Sequence, residues 1–143
     1  MMFAEDQSAF VHFKVPPNAA YAMVSCMDSM FLLRRELSAL MTTDVAKRKV
    51  FGEKGSCELG SLSDLNHNAI LDRGSIVGLW EYDSDRNAIA WRTFLPADKS
   101  LPEIIARTEG YIRERLGDAR SFSLASPKSR APRVAAIRAA GKR

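Results

Sequence analysis

The sequence predicts an α+β fold: a small curved antiparallel β-sheet or barrel, with one helix before its main meander and C-terminal helices packed on it. Three observations lead there. Residues 68–94, NAILDRGSIVGLWEYDSDRNAIAWRTF, divide into three strand-like runs separated by two turn sequences. Residues 101–116 carry an apolar stripe at helical spacing. The chain has 143 residues, 46% of them hydrophobic and 27% charged, which fits a single globular domain with a core.

Along the chain, FVHFKV (10–15) alternates, with Val11, Phe13 and Val15 on one face, and predicts a strand. Pro16 and Pro17 end it, because two prolines cannot continue a ladder. YAMVS (21–25) predicts a second short strand. Asp28 stands where an N-cap is needed, its carboxylate accepting from a first-turn N–H. The residues after it, with Phe31, Leu32, Leu37, Leu40 and Met41 apolar and Arg34, Arg35 and Ser38 opposite, predict a helix of about three turns.

Residues 42–67 are polar and irregular. KRKVFGEKGS predicts a strand end and a glycine-containing turn, and ELGSLSDLNH a loop. The basic run Lys47, Arg48, Lys49 is expected at a solvated edge, and His67 is assigned no chemistry.

The meander comes next. Strands are expected at 68–72, 75–82 and 88–94, with Arg73-Gly74 and DSDRN (83–87) as the turns. Gly78 inside the middle strand marks a bulge, a barrel bend or the close approach of another backbone. Ile89, Trp91 and Thr93 should face one way and Ala90, Arg92 and Phe94 the other; Trp80 and Trp91 are expected in the core. Ser100 and Glu103 have the spacing of a capping box. Leu101, Ile104, Ile105, Thr108, Ile112 and Leu116 should pack on the meander, with Gly117 as the helix stop. A last helix is expected at RAPRVAAIRAA, with Val134, Ile137 and Ala140 inward and Arg130, Arg133 and Arg138 together toward solvent.

Charge divides the chain. From Ala119 to the end there are seven basic residues and no acidic one: Arg120, Lys128, Arg130, Arg133, Arg138, Lys142 and Arg143. That leaves 14 of the 21 Lys and Arg in residues 1–118, against all 17 Asp and Glu, a net −3. The expected organisation is one barrel-like domain at 1–118 and a basic segment at 119–143, forming a short helix packed on it. Such asymmetry points to a polyanionic partner or to a solubilising tail.

No apolar run reaches the ~20 residues of a membrane helix, and the N-terminus lacks the order of a signal peptide. A cytoplasmic protein without membrane contact is expected. Cys26 and Cys57 fit no metal spacing, so no metal or cofactor site is expected.

The Asp28-to-Arg34 helix, the variable basic segment, and the phrase Asp72-Arg73-Gly74-Ser75-Ile76-Val77-Gly78 with its aromatic-rich return strand resemble one known family. Over about residues 20–116 the chain is similar to the C-terminal part of the winged-helix DNA glycosylases of the AlkZ-like or YcaQ type, which act in DNA repair. The ending SFSLASPKSRAPRVAAIR resembles tails of uncharacterised members of that group. The resemblance implies their C-terminal β-barrel domain. The family's catalytic Gln-x-Gln element is missing, since Gln7 is the one glutamine. What is implied is an accessory module with no catalytic residue and no glycosylase activity of its own.

The expected function is therefore a non-catalytic, DNA-associated module. It would bind phosphate backbone non-specifically through Arg73, Lys128, Arg130, Arg133, Arg138, Lys142 and Arg143, or dock a separately encoded winged-helix protein. The alternative is a small-molecule-binding protein or enzyme with a pocket walled by Trp80, Tyr82 and Trp91 beside Glu81, Asp83 and Asp85. Against it, those carboxylates cluster at a turn, where acidic residues are common.

Overall fold

The computed structural model describes residues 3–33, 36–52, 55–116 and 126–141. It is an α+β structure with a four-stranded antiparallel sheet in the order β1-β4-β5-β6 and a separate two-stranded hairpin, β2-β3. The strands are β1 (Tyr21–Val24), β2 (Lys49–Gly52), β3 (Gly55–Glu58), β4 (Asn68–Asp72), β5 (Ser75–Asp83) and β6 (Ala88–Thr93). Three short helices, α1 (Gln7–His12), α2 (Ser29–Leu32) and α3 (Thr43–Ala46), precede the meander. Two long ones, α4 (Ser100–Arg115) and α5 (Pro127–Ala140), follow it.

The three meander strands form as the alternation and turns predict. The sheet does not close into a barrel, however: β1 and β6 remain its two edges. Closure is replaced by layering. Leu101, Ile105 and Ile112 of α4 cover one face with Ile70, Val77, Trp80 and Ile89. Val134 and Ile137 of α5 cover the other with Ala69, Leu71, Ile76, Leu79 and Ala90, joined by Val50 of the hairpin and Leu59. Each apolar face is buried by a helix, so neither needs the sheet to curl onto itself.

A single extra residue organises β5. Ile70 pairs with Gly78 while Leu71 pairs with Ile76, so Val77 has no opposite number on β4. This is a β-bulge, and it inverts the inside–outside phase of the strand. Ile76 and Leu79 share the α5 face, whereas Val77 and Trp80 share the α4 face. Gly78 lies beside the extra residue because nothing larger fits: a Cβ there would sit 2.4 Å from the Arg92 carbonyl oxygen.

Five local expectations are corrected. Residues 10–15 form no strand. Phe10 to His12 belong to α1, and Phe10, Val11, Phe13 and Val15 are 63–71% exposed. A strand needs a ladder partner, and among the described residues this segment has none. The three-turn helix after Asp28 is instead one turn, α2, followed by a 3-10 turn at Leu37–Leu40; Arg34 and Arg35 lie outside the described residues. The core takes Phe31, Leu37 and Leu40, and six residues of continuous α-helix would set Phe31 and Leu37 about 240° apart. Asp28 does cap α2, accepting from the Met30 N–H at 2.8 Å.

At the start of α4, Ser100 is already helical, and Asp98 Oδ1 accepts its N–H at 2.8 Å, so the cap comes from Asp98 and not from a Ser100–Glu103 box. Leu101, Ile105 and Ile112 are buried as predicted, Leu116 is exposed, and Gly117 lies outside the described residues. Lastly, Trp91 is 37% exposed, on a strand that forms one edge of the sheet.

Its cross-strand partner Trp80 is buried at 7% exposure and donates its indole N–H to the Ala69 carbonyl at 3.1 Å. Trp80→Ala should lower the unfolding free energy by about 3–5 kcal/mol, the usual loss for a truncated buried aromatic. Urea titration followed by far-UV circular dichroism measures this. A loss below about 1 kcal/mol, typical of surface positions, would contradict the packing described.

Candidate functional site: a basic groove beside a buried ion pair

Among the described residues, the predicted basic side chains do not gather on one surface. Arg73 is the first residue of the β4–β5 turn, with φ 49°, followed by Gly74 at φ 85°. Two consecutive positive φ values are what a two-residue hairpin of this type requires. Its guanidinium is tied to Asp72 at 2.9 Å. Lys128 is exposed in the first turn of α5. Lys142 and Arg143 lie outside the described residues, as does Arg120.

Arg130, Arg133 and Arg138 do not face solvent together. Arg130 and Arg133 are each 9% exposed, and Arg138 is half-buried with its Nη2 2.8 Å from Asp83 Oδ2. The apolar repeat of α5 predicts Val134 and Ile137 inward, and they are. Yet Arg130 stands one helical turn before Val134 and Arg133 one turn before Ile137, so both are buried beside the apolar stripe of α5. There Arg133 meets Glu81, which is 1% exposed.

The sequence sets Glu81 beside a turn; the bulge instead leaves it on the α5 face of β5. Arg133 Nε lies 3.0 Å from Glu81 Oε1, within strong Coulomb attraction although not aligned as a hydrogen bond. Arg133 Nη1 donates to the Asn66 carbonyl at 3.0 Å. His67, also 1% exposed, turns Nδ1 toward Glu81 Oε1 at 3.5 Å. Its Nε2 lies 2.8 Å from the Phe51 carbonyl, an acceptor, so Nε2 carries the proton. The half-buried Cys26 is close by: burial first, and then Glu81, push its thiol pKa up, which keeps it a protonated, unreactive thiol. Glu81 thus ties β5 to α5 through Arg133, Arg133 ties α5 to the segment before β4, and His67 in that segment holds β2.

The sheet also separates the proposed Trp and Tyr wall from Glu81. Trp80 and Tyr82 lie with the α4 cluster, while Glu81 points to α5. Asp83 is engaged by Arg138 and Arg86. Among the described residues no group of three His, Cys, Asp or Glu side chains is placed to hold a metal, and no helix is long and apolar enough to cross a membrane.

A different surface gathers chemistry. A groove of about 610 Å³ opens between the hairpin, the end of β6 and α5. One wall is the outer face of the hairpin, with Lys49, Phe51 and Ser56; Val50 and Gly52 alternate inward. The floor is Arg92, Thr93 and Phe94, and the far wall is Ala136, Ala139 and Ala140 of α5. Arg48 stands at the start of β2.

Arg92 is the unusual member. Its Nη2 donates to the Lys49 carbonyl at 2.8 Å, and its guanidinium lies 5.0 Å from the Phe94 ring centroid, within cation–π range. Its Nε is buried with no hydrogen-bond partner among the described residues. Arg48 Nη2 reaches the Phe94 carbonyl at 3.4 Å. Burial, and then the neighbouring Arg48, lower the Arg92 pKa from its ordinary value. The two cations are held by backbone carbonyls, which orient them without neutralising them. Arg73, Arg113, Arg133 and Arg138 each face a carboxylate instead. In the sequence Arg48 reads as part of a solvated run, and Arg92 shows only which strand face it shares. The signal that could have found the site is an arginine on the inward-facing set Ala90, Arg92, Phe94.

Two predictions test this electrostatic layout. Arg133→Met should cost about 3–5 kcal/mol, because it leaves Glu81 buried against an uncharged neighbour. Adding Glu81→Leu should recover most of that loss, as the apolar pair removes the stranded charge. Urea unfolding of the single and double variants measures both; a double variant as unstable as the single one would show that the ion pair is not the source. Asp72 supplies the second. Burial raises its pKa, but bonds from Arg73 and the Ala20 N–H outweigh burial and leave it lowered. Its stabilisation is therefore complete above the ordinary aspartate value of about 3.9 and is lost as pH falls through the lower folded value. Asp72→Asn should flatten the acid limb of Tm against pH.

No family model, curated protein or solved structure matches the chain.

Proposed function

We propose that this protein is a non-catalytic, nucleic-acid-associated module that holds phosphate backbone in the groove between the β2–β3 hairpin, β6 and α5. The observation that carries this reading is the pair Arg48 and Arg92: adjacent, ordered by carbonyl oxygens, and with no ion-pair partner among the described residues. Holding two like charges together costs free energy that an anion between them would relieve. Guanidinium groups match phosphate oxygens in shape and hydrogen-bond count. The chain's formal net charge of +4 would favour approach of a polyanion. The resemblance to winged-helix DNA glycosylases points to the same partner, DNA.

This moves the contact surface from the tail to the groove. Arg133 and Arg138 are engaged by Glu81 and Asp83, and removing them would damage packing before it weakened binding. Contacts of this kind carry no base information, so binding should be weak and insensitive to sequence.

A second reading has an observation of its own. Phe3, Phe10, Val11, Phe13 and Val15 are 63–76% exposed, an apolar arm that a protein partner such as a separately encoded winged-helix chain would cover.

Fluorescence anisotropy of labelled DNA, measured at two salt concentrations, tests the first reading. Binding should weaken as salt rises, since phosphate contacts displace counterions. Arg48→Ala with Arg92→Ala should weaken it further and reduce the salt slope by up to about one unit for each phosphate no longer neutralised. Lys128→Ala should change it little. Unaltered binding in the double variant would return the interface to the tail, and no binding by the parent at low salt would favour the protein-partner reading.

A further inference from the structure

Resting on that reading, we propose that the groove takes single-stranded nucleic acid in preference to duplex, with one unpaired base against Phe51 while the flanking phosphate meets Arg48 and Arg92. The groove combines two features that duplex binding does not need. The first is aromatic surface. Phe51 is half-buried and shares the outer face of the hairpin with Lys49, with Ser56 as its cross-strand neighbour and all three lining the groove. Phe94 lies on the floor with Arg92 above its ring at 5.0 Å, so the guanidinium offers a second flat cationic surface. The second feature is the far wall. Ala136, Ala139 and Ala140 come from one face of α5 and project no side chain beyond a methyl group, which leaves room for a flat ring to enter.

The volume of about 610 Å³ falls within the range of pockets that enclose small organic ligands, roughly 300–1,000 Å³. A duplex keeps its bases paired and stacked and could offer this groove only phosphates. An extended strand can offer a base and a phosphate together, as in proteins that bind single strands through a basic track and stacking rings. The hairpin wall is well anchored for this: Asn66 and His67 both bond the Phe51 carbonyl, at 3.3 and 2.8 Å. Phe51 is therefore held at its backbone while its ring faces the groove.

The test uses the full chain and three probes: a short labelled oligothymidylate, a duplex of the same length, and inorganic polyphosphate as a competitor. The oligothymidylate should bind about tenfold or more tighter than the duplex, the scale of one stacked base. Phe51→Leu keeps apolar bulk in the hairpin but removes the ring face. It should weaken oligothymidylate binding about tenfold and leave polyphosphate competition unchanged, with Tm confirming that the variant is folded. Arg92→Ala should weaken all three. Equal affinity for strand and duplex, or equal losses on every probe with Phe51→Leu, would overturn the single-strand preference and leave the phosphate groove standing. Failure of all three probes to bind the parent would overturn both.

Discussion

The contact between Glu81 and Arg133 is the constraint on which the rest of this structure depends. A carboxylate at 1% exposure is costly unless cations and donors converge on it. Here the convergence recruits separate parts of the chain. Arg133 arrives with α5 and also bonds the Asn66 carbonyl in the segment before β4, where His67 holds the backbone of β2. An apolar core would tolerate α5 sliding by a turn along the sheet, because Val134 and Ile137 could find other hydrophobic neighbours. A buried charge does not tolerate it. The net stability of such a pair is small compared with its power to fix one arrangement, which is the physical role best suited to it here.

The groove inherits its shape from that arrangement. Its walls are β2, β6 and α5, and these are the elements that the buried cluster and its neighbours hold together. Among the described residues the hairpin has no hydrogen-bonded ladder to the main sheet. Its position relative to β6 comes from Val50 packing in the core and from polar reaches such as Arg92 to the Lys49 carbonyl. A cationic surface therefore rests on an ionic foundation a few residues deeper. The two differ in their partners: the deep cation faces a carboxylate, and Arg48 and Arg92 meet backbone carbonyls.

Much of the sheet is legible in the sequence because its signals are local. Arg73-Gly74 and the alternation of 68–72 and 88–94 fix strands and turns within a few residues, and the α4 stripe fixes a helix. The layers are harder to read, since nothing local says whether two apolar faces are met by a helix each or by closure into a barrel. At the N-terminus, FVHFKV has the period of a strand, but period alone supplies no neighbour to pair with. The site is least legible for a related reason. Arg133 and Glu81 are 52 positions apart and each looks like a surface residue in its own segment. Arg48 and Arg92 belong to segments whose proximity depends on that same long-range fold. Charge counting along the tail identifies the right residue type but equates basic with exposed.

The unmatched Val77 has a consequence beyond the local kink. On either side of it β5 runs in opposite phases, so the strand is two messages spliced with a one-letter offset. Upstream, Ile76 addresses the α5 layer; downstream, the odd-numbered Leu79 and Glu81 do. Excising Val77 itself would regularise the ladder and leave Leu79, Trp80 and Glu81 on their present faces, whereas excising Leu79 with the bulge kept would transpose every later residue of the strand. The carboxylate of Glu81 would be delivered among Leu101 and Ile105, and the indole of Trp80 against the guanidinium of Arg133. Changes of length in β5 away from the bulge are therefore far less neutral than changes of spelling.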